Sequence, residues 1–202
     1  MDIRLKDGSG QGFVAKVDDR LRMHVDSVVR TQSQEAALLG EAYNISTGTI
    51  TLTSGNESAL LYIKNTSETP LVIKEVGFRA GATTGGSGSA LLKLYANGDA
   101  GTIISGASAP TTNFNRNLGS AKSITGSVFK GAEGNTLTGG ENAAVSSTDN
   151  FTDALVFDAE IFVLPKGTSM GALFTPPSGN TSQNVVVFAT VFYEGADLSA
   201  EQ

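Results

Sequence analysis

The chain has 202 residues, 40% hydrophobic and 17% charged, with 24 glycines, one histidine and neither cysteine nor tryptophan. That is enough apolar material for a core, and the missing cysteines exclude a disulfide framework, a thiol nucleophile and a cysteine-ligated zinc site. A net charge of -6 leaves no basic stripe to neutralise phosphates, so nucleic acid is excluded as a partner. Ser, Thr, Asn and Gly dominate the polar positions, and these residues favour short strands and turns over helical surfaces, which predicts an all-β protein. The opening Met1 to Gly8 lacks the apolar core of a signal peptide, and no apolar run approaches the roughly 20 residues that span a bilayer. The expectation is a soluble product of the cytosol with no membrane partner.

Residues 1–43 read as an extended N-terminal arm. They carry Arg4, Lys6, Lys16, Arg20, Arg22 and Arg30 together with His24. From Arg20 to Val29 the chain alternates, with Leu21, Met23, Val25 and then Val28 on one face and Arg22, His24 and Asp26 on the other. This pattern suits an extended segment pairing at a sheet edge, so Leu21, Met23, Val25 and Val28 are the candidate partner contacts. Thr31 to Leu39, stopping at Gly40, predicts one short helical turn.

Residues 44–195 read as a series of strands separated by turn clusters. Ile45 to Thr53, the turn Ser54-Gly55-Asn56-Glu57 and Ser58 to Asn65 predict a hairpin. Pro70 precedes a strand from Leu71 to Arg79, with Val72, Val76 and Phe78 assigned to one face, and Gly81 to Gly88 follows as a loop. Ala90 to Ala96 ends in an Asn97-Gly98 turn, and Asn113 to Phe129 is polar with sparse apolar residues. Gly131 to Asn150 is poor in apolar residues and predicts a long exposed loop. The clearest strands are Ala154 to Leu164, Ser169 to Phe174 and Asn184 to Tyr193, punctuated by Pro165-Lys166-Gly167-Thr168 and Pro176-Pro177-Ser178-Gly179-Asn180. The last is apolar on both faces, which predicts a central or interface-facing strand, and Val186, Phe188 and Phe192 are the candidate oligomer interface. Residues 196–202 read as a flexible acidic tail. The count of about eight strands predicts a jelly-roll-like antiparallel β-sandwich.

No catalytic set assembles from these residues. Gly167-Thr168-Ser169-Met170-Gly171 satisfies the nucleophile-elbow pattern, but an elbow needs a helix after it and a later histidine, whereas a strand pattern follows and His24 lies far upstream. A Gly-turn between strands is the plainer reading. His24 alone cannot build a histidine metal centre, and it is read as a polar-face residue of the arm. Asp149, Asp153, Asp158 and Glu160 lack a calcium-loop spacing, and Asp158 and Glu160, two apart on a strand, read as a solvated face. The glycine runs at Gly8 to Gly12 and Gly85 to Gly88 precede neither Lys-Ser/Thr nor a helix, so they are connectors rather than phosphate cradles. The N-x-S/T triplets at Asn44, Asn56, Asn65, Asn150 and Asn180 follow from composition. The expectation is a protein that is no enzyme and uses no cofactor or metal.

Gly40-Glu41-Ala42-Tyr43-Asn44-Ile45-Ser46-Thr47-Gly48-Thr49-Ile50-Thr51-Leu52-Thr53, followed by Ser58-Ala59-Leu60-Leu61-Tyr62-Ile63-Lys64-Asn65, resembles virion structural proteins of tailed bacteriophages. The turns Leu164-Pro165-Lys166-Gly167-Thr168-Ser169 and Phe174-Thr175-Pro176-Pro177 are similar to those of the same proteins. The resemblance implies a jelly-roll capsid decoration (cement) protein that binds the outside of the shell and bridges neighbouring subunits. Its partners would be the major capsid protein and itself, as a homo-oligomer with a trimer favoured. It would be made in the bacterial cytoplasm and reside on the capsid surface of the virion. On this expectation the arm adds an edge strand to a neighbour through Leu21 to Val29. The alternative is a phage tail or baseplate component, or a glycan-binding adhesin contacting its ligand through Gly81 to Gly88 and Gly131 to Asn150. The 7% aromatic content and the missing tryptophan weigh against stacking on sugars, and a single histidine weighs against a cupin-like metal enzyme.

Overall fold

The computed structural model describes residues 4–6, 12–14, 30–105, 109–110, 112–149 and 155–195. The chain divides into two units, Met1–Thr31 and Gln32–Gln202. In the first, β1 (Arg4–Lys6) pairs antiparallel with β2 (Gly12–Val14). Leu21, Met23, Val25, Val28 and His24 lie outside the described residues, as does the 196–202 tail.

The second unit opens with a short helix, α1 (Gln32–Leu38), and then the long strand β3 (Ala42–Leu52). The helix ends where Gly40 takes a φ of +71°, which lets Glu41 N–H reach Ala36 C=O at 2.7 Å and Gly40 N–H reach Ala37 C=O at 3.2 Å. These two bonds satisfy the last carbonyls and turn the chain into the sheet. Residues 32–43, read above as part of the arm, therefore belong to the body: Ala36 is buried, and Ala42 and Tyr43 are the first, buried residues of β3.

The remaining strands are β4 (Ser58–Asn65), β5 (Leu71–Ala80), β6 (Ala90–Ala96), β7 (Ala109–Pro110), β8 (Thr112–Asn115), β9 (Gly126–Lys130), β10 (Glu141–Thr148), β11 (Leu155–Leu164), β12 (Ser169–Thr175) and β13 (Gln183–Tyr193). Eight of them nest along the sequence. The first pairs with the last (β3 with β13), then β4 with β12, β5 with β11 and β6 with β10, all antiparallel. This nesting is a jelly roll. Lateral pairing completes two sheets, in the orders β11-β5-β13-β3-β8 and β10-β6-β12-β4-β9-β7. The short β7, β8 and β9, all from the β6 to β10 connection, extend both sheets beyond the eight strands expected.

The inner faces bury Ile45, Leu52, Leu60, Phe78, Leu92 and Phe174 together with Val185, Val187, Ala189 and Val191 of β13. The alternation seen in the sequence of β13 thus becomes a core face, and its place between β5 and β3 makes it central. Tyr43 also lies here, edge-on to Tyr193, with its hydroxyl buried and without a hydrogen-bond partner among the described residues. A second cluster, with Tyr62, Ile103, Leu137 and Leu173, covers the outer face of the six-stranded sheet with segments of the β6 to β10 connection.

Three local expectations are corrected. The pair β3 and β4 is not a hairpin: the two lie in opposite sheets, so the Ser54–Glu57 turn crosses the sandwich. In a nested fold each strand pairs with the one wrapped around it, not with its neighbour in sequence. The expected loop from Gly131 to Asn150 contains β10, an edge strand whose exposed and half-buried Ser, Thr and Ala residues carry little apolar signal, and Leu137, which is buried. Val72 does not share a face with Val76 and Phe78, because the β5–β13 register shifts between the pairs Ile73 with Val191 and Glu75 with Thr190. The extra residue, Lys74, moves Val72 to the opposite side.

Candidate functional site

The outer face of the five-stranded sheet is where the candidate interface residues of β13 fall, and the register arranges it in rungs. One rung runs Val156, Gly77, Phe188, Ser46 across β11, β5, β13 and β3. Val156 is 46% exposed and Phe188 half-buried. Gly77 carries the ring of Phe188: a Cβ built on Gly77 would stand 2.1 Å from Phe188 Cζ. A glycine inside a strand marks such a close approach, and that signal was available in Val76-Gly77-Phe78.

On one side of this rung Arg79 is exposed opposite the half-buried Val186. On the other side lies a polar rung of Glu75, Thr190 and Asn44. The Thr190 hydroxyl donates to Glu75 Oε1 at 2.7 Å, with Asn44 Oδ1 3.2 Å away. Phe114, 57% exposed, ends this rung on β8. The next rung is Val163, Val72, Phe192 and Ala42. Here α1 closes over the sheet, and Phe192, Val72 and Ala42 are buried with Ala36.

The three expected interface residues therefore part company. Val186 and Phe188 stand together on the open part of the face, whereas Phe192 is covered by the helix of its own chain. Alternation puts all three on one face but carries no information about which rung a helix from elsewhere in the sequence will cover. Glu75, Gly77, Arg79 and Val156 complete the open part and were not singled out from the sequence. The arm residues Leu21, Met23, Val25 and Val28 lie outside the described residues.

The other candidates resolve as structure. Ser169 stands at the start of β12 directly after the turn from β11, buried, with Oγ donating to Gly98 C=O at 2.7 Å. A strand follows it where a nucleophile elbow requires a helix. The β11–β5 register shifts between Asp158 and Phe162, and the side chains of Asp158 and Glu160, with all of Asp153, lie outside the described residues. Among the described residues no three of His, Cys, Asp and Glu are grouped so as to hold a metal ion. Asn65 and Asn180, two of the N-x-S/T asparagines, are buried and spend their side chains on the backbone. No helix among the described residues is long and apolar enough to cross a membrane. Comparison of the chain with family models, with curated proteins and with solved structures gives no match.

Proposed function

We propose that the protein is a non-enzymatic structural component of a bacteriophage virion that binds the outside of the capsid and stabilises it by bridging neighbouring subunits, as cement proteins do. The observation that carries this reading is the unequal treatment of the two outer faces of the jelly roll. The six-stranded sheet is covered by its own connections through Ile103 and Leu137, while the five-stranded sheet leaves Val156, Val186 and Phe188 open beside charged residues. A β-sandwich that leaves a mixed apolar and charged sheet face uncovered among the described residues is suited to contact with another protein. The likeness of the β3 to β4 segment to tailed-phage virion proteins supplies the kind of assembly. Many copies on a repetitive shell need only modest affinity each, since bridging makes later contacts intramolecular. On this reading the segment from Leu21 to Val29 engages the shell while the body associates with its like.

Gold labelling of intact particles with an antibody to this protein, viewed by electron microscopy, tests the reading. Label spread over the head is the expected result. Label confined to the tail would replace it with the tail or baseplate reading.

A further inference from the structure

The charges on the open sheet face are arranged to pair with a second copy of the same face. Glu75 and Arg79 lie on β5 two residues to either side of Gly77. Their inward neighbours Val76 and Phe78 are core residues, so Glu75, Gly77 and Arg79 share the outward side. We infer that two copies associate face to face about a two-fold axis passing by Gly77 and Phe188, with Glu75 of each copy opposite Arg79 of the other.

A two-fold axis lying in the contact plane and crossing β5 at Gly77 exchanges the positions two residues above and below it. It therefore sets an acid against a base twice, in the self-complementary way an isologous contact requires. The same axis brings the two Phe188 rings together. Each leans on the bare backbone of Gly77 and leaves its other side for the partner, flanked by Val156 and Val186. Two packed sheets of right-handed twist cross at roughly 30°, which displaces a residue two positions from the axis by only about 3 Å, within the reach of an arginine. A single flat face used in this way closes at two copies, so the pair replaces the trimer expected from the resemblance as the unit formed by this surface.

This inference deepens the oligomeric part of the reading above but is tested on purified protein alone, so its failure leaves the particle labelling untouched. Sedimentation equilibrium of the full chain should show a dimer at micromolar concentration. Arg79→Glu makes the pairing positions wholly acidic and Glu75→Arg makes them wholly basic, so each variant alone should weaken self-association by at least about tenfold. An equimolar mixture of the two should form a mixed dimer, and the double variant Glu75→Arg/Arg79→Glu should recover the wild-type constant. Circular dichroism melts check that each variant is folded. If Glu75→Arg fails to fold through loss of the Thr190 bond, Phe188→Ser takes its place and should abolish the dimer. A wild-type monomer across the concentration range overturns the inference. So does a dimer indifferent to Arg79→Glu, or folded single variants that do not associate when mixed.

Discussion

Phe188 lies on the bare backbone of Gly77 in the adjacent strand, closer than any side chain at position 77 would permit. The relationship sets the shape of the open sheet face, because the ring lies down instead of standing away from the sheet. Gly77→Ala should push the ring off its seat and destabilise the body by about 1–3 kcal/mol, the usual cost of overpacking. Phe188→Ala in the same chain should make Gly77→Ala nearly harmless, a non-additivity read from the midpoints of urea unfolding. Additive effects of the two substitutions would mean that the ring and position 77 do not compete for the same space.

Leu137 is the plug that holds the β6 to β10 connection against the outer face of the six-stranded sheet. It is buried with Tyr62, Ile103 and Leu173, and it fills the space that a side chain at Gly171 would need. Leu137→Ala should cost about 2–5 kcal/mol, as truncation of a buried leucine does. The loss should be accompanied by faster amide exchange at Ile103, whose N–H donates to Thr136 C=O at 3.3 Å, and at Thr138, whose N–H donates to Ala100 C=O at 2.7 Å. Unchanged protection at both amides would show that the connection is held by something other than this side chain.

Asn65 is a structural bracket. Its Nδ2 donates to Thr69 C=O at 2.9 Å and Leu164 C=O at 2.8 Å, and its Oδ1 accepts from Ser67 N–H at 2.9 Å. It is fully buried, so Asn65→Ala strands these groups without water and should cost on the order of 1–3 kcal/mol. Asn65→Asp keeps the acceptor and loses both donors, so it should recover little. Thermal melts of the two variants beside the wild type decide the matter, and a melting temperature within a degree of the wild type for Asn65→Ala would contradict it.

The two phenols at the end of the core make stability depend on alkaline pH. Burial, and then the charges of Glu41 and Tyr193, push the Tyr43 phenol up to about 12 from 10.0. Burial also raises Tyr193, against its hydrogen bonds with Thr125. Both phenols hold their protons more tightly in the fold than in the unfolded chain. The contribution of Tyr43 is therefore fully present below its ordinary value of 10.0 and is lost as pH rises through about 12, and that of Tyr193 falls in the same direction. Urea midpoints measured from pH 8 to 12 should fall over this range, with a shallower fall in Tyr43→Phe. At neutral pH Tyr43→Phe should cost nothing, since the hydroxyl has no partner to lose among the described residues. Tyr193→Phe should be destabilising there, because the Tyr193 hydroxyl accepts from Thr125 N–H at 2.9 Å and donates to Thr125 C=O at 2.7 Å.

Period-two alternation was enough to place β5, β11, β12 and β13, because each has a face that enters the core and a proline or glycine turn at one end. The same rule failed at β10, whose edge position demands almost no apolar residues, and at the register shift beside Lys74, where one extra residue sent Val72 to the other side of the sheet. Of the candidate face, only Val186 and Phe188 were legible. The rest was not, since Val156, Glu75, Gly77 and Arg79 come from strands more than 20 residues away and are neighbours only through hydrogen-bonded register.

The amino-acid sequence by itself determined the class of the fold: turn residues at short intervals, β-branched and aromatic runs between them, and polar positions filled mostly by Ser, Thr, Asn and Gly. The tertiary structure alone decided which strand meets which, and so which apolar residues stay open. Local sequence sets the conformation of a segment through its own sterics and burial pattern. Pairing and coverage depend on contacts between distant segments, such as β3 with β13 and α1 with Phe192, and no local pattern records them.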